Sequence, residues 1–211
     1  MILLALGLSA LVAAAALPIV SGLAPALGRW RAAGAVPLAA GMAWILDWSA
    51  SRFVTVTVPF AIGLAVVAAV LAVQTVLDLA THRLPRQLSY AGLAAFLVVL
   101  PFSSTSVVDR WPGVLVGLVL MMAIIVLLLV ITRGSLGMGD VHLAPLLGAL
   151  VGFFSPALLA IAWLVTAVTG GVVVALGLVT RRLDRSQHIP YGPFMILGAF
   201  VASVVAAMSV H

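Results

Sequence analysis

The chain has 211 residues, of which 65% are hydrophobic and 7% are charged, and its formal net charge is +5. Soluble domains have about a quarter of their residues charged, so a water-soluble fold of this length is excluded. All ten basic residues are arginines, and they lie almost entirely between long uncharged runs, where they orient a membrane protein rather than bind nucleic acid. Cysteine is absent, which excludes disulfides and cysteine-based zinc sites.

The uncharged runs predict membrane-spanning helices, because about 20 apolar residues are needed to cross a hydrocarbon core of about 30 Å. The run 141–180 holds two spans, with Ser155-Pro156 as the break. The weakest span is the second, which is short and contains Pro37 and Asp47. We therefore predict an all-α bundle of about eight transmembrane helices. In chain order the predicted spans are 2–21, 34–49, 55–77, 88–102, 112–132, 141–154, 156–179 and 190–209.

The arginines predict which way the bundle faces. Eight of the ten lie in one set of alternate connections, and the other set holds only Arg52 and Arg110. Because basic residues accumulate on the cytoplasmic side, the arginine-rich set is predicted to face the cytoplasm from the cytoplasmic (inner) membrane. That set comprises the connections 22–33, 78–87, 133–140 and 180–189.

Five aspartates and no glutamates make up the acidic residues of the chain. Asp109 and Asp184 have arginine neighbours and are interpreted as solvated charges, and Asp47 lies at the outer end of the weak second span. Asp78 closes one uncharged run and Asp140 opens another. An ionisable group at the membrane edge is expensive and indicates a functional site by default.

Two predicted spans separate Asp78 from Asp140, so both residues lie on the same face of the membrane and can meet. Two carboxyl groups a few Å apart do not both ionise easily, so one keeps a proton. The ionised group can then take a proton from an attacking water while the other donates to the scissile carbonyl. On topology alone, a purely structural role for each aspartate, as a helix cap or arginine partner, remains equally open.

The residues before Asp140 strengthen the catalytic interpretation. They read Gly137-Met138-Gly139-Asp140, and two glycines permit backbone conformations and close approaches that side chains obstruct. Alone, such a motif is weak in a chain with 19 glycines. Its position at the start of a span, on the face that carries Asp78, makes it more specific.

Three segments together resemble the type IV prepilin peptidases, a family of membrane aspartyl proteases with a Gly-x-Gly-Asp motif. Asp78 with the downstream pair Leu84-Pro85 resembles the first aspartate segment, and Gly137 to Val141 resembles the second. The stretch 189–194, Ile-Pro-Tyr-Gly-Pro-Phe, resembles the opening of the last span. The resemblance covers residues 74–209, so we expect a protease core at 51–211 and N-terminal segments of uncertain role at 1–50.

The resemblance implies an aspartic endopeptidase that removes the short basic leader of prepilin or pilin-like precursors for type IV pili, a form of signal peptide processing, at the cytoplasmic membrane face. The catalytic pair would be Asp78 and Asp140. The residues shaping the site would be Gly137, Gly139, Pro190, Gly192 and Pro193. No cofactor is required, and the expected partners are the precursor and membrane lipids.

The chain departs from the family pattern in two places near the aspartates and in one larger feature. Arg86 follows the Leu-Pro pair where Asp or Asn is common, and His142 stands where a basic residue commonly follows the motif. Larger members carry a cysteine-containing cytoplasmic region that methylates the new N-terminus. Here the connection 22–33 is too short for it and cysteine is missing, so the resemblance implies a peptidase-only form.

Several other functions remain open from the sequence. His82 and His142 lie near the aspartates, but no recognised ligand spacing predicts a metal site. The main alternative is a proton- or cation-coupled transporter using the same aspartates, although such carboxylates usually lie near the bilayer midplane within internal repeats. A silent scaffold subunit and a Gly-x-Gly-Asp protease with another substrate are the remaining candidates. The sequence leaves the substrate, the cleavage site and the oligomeric state undetermined.

Overall fold

The structure is a computed structural model that describes residues 29–103, 109–132, 137–180 and 190–210. Its described residues form seven α-helices and no strands. The predicted first span, 2–21, lies outside the described residues. The helices are α1 (Arg29–Ala50), α2 (Val58–Thr81), α3 (Arg86–Val99), α4 (Trp111–Ile131), α5 (Met138–Phe154), α6 (Leu159–Val179) and α7 (Gly192–Ser209).

The prediction of an all-α membrane bundle is confirmed. Four helical segments are long and apolar enough to cross a membrane, namely α2, α4, α7 and α6 together with the 3₁₀ turn Pro156–Leu158. Helices α3 and α5 are shorter apolar helices, and α3 continues into the 3₁₀ turn Leu100–Phe102. The protein is therefore an integral membrane protein, although these four segments do not establish the predicted total of about eight.

Prolines begin several of these helices, as expected for a residue with a fixed φ and no N–H to donate. They stand within the first two positions of α2, α4, α7 and both 3₁₀ turns. Thr57 caps α2 by accepting a hydrogen bond from the backbone N–H of Phe60 at 3.4 Å. Proline in the sequence thus marks the start of several of the described helices.

Glycines allow α4 and α5 to pack backbone to backbone. Gly113 and Gly117 of α4 lie opposite Gly152 and Gly148 of α5, and a Cβ at Gly113 would lie 2.6 Å from the carbonyl oxygen of Gly152. The spacing of four residues on both helices places each pair on one face. This antiparallel packing fixes the position of α5 along the bundle axis, and α5 is the helix that carries Asp140.

Helices α2 and α5 occupy the centre of the bundle. Apolar side chains such as Leu64, Leu71 and Leu147 are buried along both helices, whereas α4 and α6 expose most of their apolar surface, as lipid-facing helices do. Because α2 ends where α5 begins, their termini share one end of the bundle. We call it the aspartate end, defined by Asp78 and Asp140.

Candidate active site

Asp78 lies in the last turn of α2, which ends in a left-handed residue. His82 has φ 53° and ψ 34°, and its backbone N–H donates to the carbonyl oxygen of Asp78 at 2.9 Å. The chain then turns sharply and starts α3 directly after Pro85. The turn brings Leu84 back towards the start of α5. The imidazole of His82 is exposed.

Asp140 lies in the first turn of α5, where a carboxylate is favoured by the positive end of the helix dipole. Gly137 caps the helix with φ −64° and ψ 131°, and its carbonyl oxygen accepts the N–H of Asp140 at 3.1 Å. Those angles are open to any residue. Gly139 is different, because a Cβ there would lie 2.6 Å from the Cβ of Leu84. Gly139 therefore lets the turn after Asp78 pack on the helix that begins with Asp140.

Gly192, the first residue of α7, lies between the two carboxyl groups. A Cβ at Gly192 would be 2.8 Å from Oδ2 of Asp78, 3.6 Å from Oδ1 of Asp140 and 2.9 Å from Cδ1 of Leu84. Asp78 and Asp140 are 4% and 5% exposed. Three chain segments that are distant in sequence thus bring two buried carboxyl groups to one small space without a side chain.

A Cβ at Gly192 would lie within 3.6 Å of an oxygen of each carboxyl group, so the two carboxyl groups are close enough to interact electrostatically. Like charges at such a separation favour a state in which the pair holds one proton. The negative charge of Asp140 also acts on the hydroxyl of Tyr191, the half-buried residue just before Gly192. The site can therefore offer an acceptor and a donor of protons side by side, which is the requirement of general acid/base chemistry.

The remaining predicted residues lie around this space or away from it. Pro190 precedes Tyr191 and is partly exposed, and Pro193 lines a separate apolar cavity of about 390 Å³ between α1, α2 and α7. Asp47 is buried near the end of α1, at the opposite end of the bundle from Asp78. The structure therefore does not bring Asp47 to the pair.

His142 contacts Tyr90 of α3. Its Nδ1 lies 3.0 Å from the hydroxyl of Tyr90, and the two rings are 5.6 Å apart. Within the ranges that the structure describes, no three His, Asp or Glu side chains are grouped as metal ligands would be.

A buried polar pair next to Asp78 escaped the sequence reasoning. Gln74 lies four residues before Asp78, on the same face of α2, and its Nε2 donates to Oγ of Ser89 on α3 at 2.6 Å. Both side chains are almost fully buried. An amide one helical turn from the aspartate, inside an uncharged run, is the signal that could have identified it. The hydrogen bond ties α2 to α3 beneath the turn that carries Leu84.

We expect Ser89→Ala to lower the free energy of unfolding by about 1 kcal/mol, the usual scale of buried polar contacts between membrane helices. The alanine leaves the Gln74 amide without that acceptor in an apolar layer. The double variant Gln74→Met/Ser89→Ala removes both polar partners, so it should lose less than the sum of the single changes. Unfolding in mixed detergent micelles measures this, and additive losses would show that the pair contributes no coupling.

The fold and the site define a class: an integral membrane protein whose buried carboxyl pair is assembled from two central helices and the start of the last one. Comparison with known families identifies the particular family. The sequence model of the type IV leader peptidase family matches residues 65–208, and the chain belongs to that family. It is therefore a peptidase. The searches of curated proteins and of solved structures returned no match.

Proposed function

We propose that the protein is a membrane aspartyl endopeptidase that removes the short basic leader of prepilin or pilin-like precursors. Asp78 and Asp140 would be its general acid/base pair. The observation that carries the proposal is the approach of two buried carboxyl groups to the side-chain-free space at Gly192, in a chain of the type IV leader peptidase family. Residues 51–211 would be the protease core, and residues 1–50 have no assigned role.

In the proposed mechanism, the ionised carboxylate takes a proton from a water molecule as its oxygen bonds to the scissile carbonyl carbon. The neighbouring carboxylic acid donates its proton to the carbonyl oxygen, giving a tetrahedral diol. Collapse of the diol breaks the C–N bond: the protonated carboxyl group gives its proton to the leaving amine nitrogen, and the other carboxylate takes a proton from a diol hydroxyl, which becomes the new carbonyl. The pair ends with one proton again, so no cofactor is needed.

Glycine at position 192 would let the start of α7 pack directly beside both carboxyl groups. Gly137 and Gly139 would form the start of α5 that holds Asp140, and Pro190 and Pro193 would fix the start of α7. Helix ends suit hydrolysis better than transport, because transporter carboxylates usually lie at midplane on broken helices. The arginine distribution of the sequence supports a site that faces the cytoplasm from the inner membrane.

The proposal is tested by reconstituting the purified protein in liposomes with a precursor from the same genome that has a short basic leader before an apolar helix. We expect loss of the leader, read by gel shift and by mass measurement of the new N-terminus. Proton flux across the same vesicles is followed with a pH-sensitive dye. Flux without cleavage would overturn the proposal in favour of the transporter alternative.

A further inference from the structure

An apolar groove opens between α4 and α6 on the membrane-facing side of the bundle. Helix α4 packs mainly against α5, and α6 packs mainly against α7, which leaves a groove of about 580 Å³ between them. We call it the α4–α6 groove, and its lining includes Leu120, Ile124 and Leu128 of α4 and Ala160, Trp163 and Ala167 of α6.

The groove leads to the carboxyl pair. Tyr191 lines the groove at the aspartate end. Pro156, at the start of the 3₁₀ turn before α6, lines the groove towards the other end of the bundle. Tyr191 is joined directly to Gly192, and the charge of Asp140 acts on its hydroxyl. Its ring packs beside Gly170 of α6, where a Cβ would lie 3.6 Å from Cε2. A chain lying in the groove would therefore reach the space between the aspartates.

Trp163 lines the groove, and its side chain is partly exposed. The exposed alanines on the same wall, Ala160 and Ala167, allow a neighbouring backbone to come close. Small side chains on this wall fit a helix, because helix backbones approach closely at such residues.

We infer that the α4–α6 groove holds the apolar helix of the substrate precursor, with its cleaved end at Tyr191 and its remainder running towards Pro156. This inference rests on the proposed function, because it takes the precursor to have a basic leader followed directly by an apolar helix. The groove then sets the register in which the scissile bond meets the carboxyl pair. A membrane lipid is the competing occupant.

The first test introduces bulky side chains into the groove. We expect Ala160→Trp and Ala167→Trp each to raise the KM for the full-length precursor at least tenfold, with kcat little changed. Cleavage of a short peptide that has the leader and scissile bond but no apolar helix should be unaffected. Val168→Trp and Val172→Trp are matched controls, because these side chains of the same helix are 53% and 51% exposed and do not line the groove.

An unchanged KM for the precursor in both groove variants would overturn the inference and favour a lipid occupant. Equal loss of precursor and short-peptide cleavage would also overturn it, because the variants would then act on the site itself. In either case cleavage by the wild type keeps the proposed function standing. If the wild type cleaves neither substrate, the proposed function fails, and the occupant of the groove is decided by cross-linking.

Cross-linking tests the occupant directly and needs no activity. The chain has no cysteine, so single cysteines can be placed without background in an Asp140→Asn protein that keeps the precursor uncut. We expect Ala167→Cys to form a disulfide with a cysteine in the precursor's apolar helix, and Val168→Cys to form none. Equal yields at both positions, or no bond at Ala167→Cys, would contradict the inference.

Discussion

Asp78→Asn and Asp140→Asn are each expected to lower the rate of precursor cleavage by at least about a hundredfold, the scale of a lost general acid or base. Asparagine has nearly the same shape as aspartate but neither accepts nor delivers the proton at neutral pH. Both side chains are buried in one space, so either change leaves the partner without its counterpart. The rate is measured by gel shift of the precursor in membranes with matched protein levels.

Asp47→Asn is the matched control for these variants. Asp47 is buried to a similar degree, at 6% exposure, but lies at the opposite end of the bundle from the pair. Its replacement should leave cleavage unchanged. Residues that act as a unit give non-additive losses, so the double variant Asp78→Asn/Asp140→Asn should be no slower than the slower single variant. Wild-type cleavage by either single variant would assign a structural role to that aspartate.

The all-α membrane fold could be predicted because the lipid bilayer alone determines how apolar and how long a spanning helix must be. The two spans predicted between Asp78 and Asp140 also indicate, without any knowledge of contacts, that both residues lie at one end of the bundle. Helix ends were harder to predict. The uncharged run ends at 77, yet α2 continues to Thr81 and leaves Asp78 inside its last turn. The backbone ends the helix at His82, whose left-handed conformation has no clear signal in the sequence.

Contacts between helices could not be predicted, because they depend on how far each helix is rotated about its axis. The Gly-x-Gly motif shows the consequence. From the sequence, both glycines were explained by backbone freedom and close approaches, but Gly137 has ordinary angles. Gly139 instead makes room for Leu84, from the turn after the other aspartate. The Gln74–Ser89 pair and the α4–α6 groove likewise required the packed bundle.

Gly192→Ala is expected to lower kcat about a hundredfold, although it adds only one methyl group. That methyl would lie 2.8 Å from Oδ2 of Asp78 and 2.9 Å from Cδ1 of Leu84, inside van der Waals contact. Relief of the clash must displace a carboxyl group or the start of α7, and a misplacement of about 1 Å can cost a hundredfold in rate. Alanine has a higher helix propensity than glycine, so the loss of kcat should not result from weaker formation of α7.

Gly171→Ala separates this steric effect from a general effect of the substitution. Gly171 is also helical, but a Cβ there meets nothing within 4 Å, so its variant should cleave at the wild-type rate. Both variants are compared with wild type by steady-state cleavage of the precursor and by unfolding in mixed detergent micelles. Wild-type kcat in Gly192→Ala would show that the space between the carboxyl groups can be filled without harm. The proposed need for close packing of α7 on the carboxyl pair would then fail, even if both aspartates proved essential.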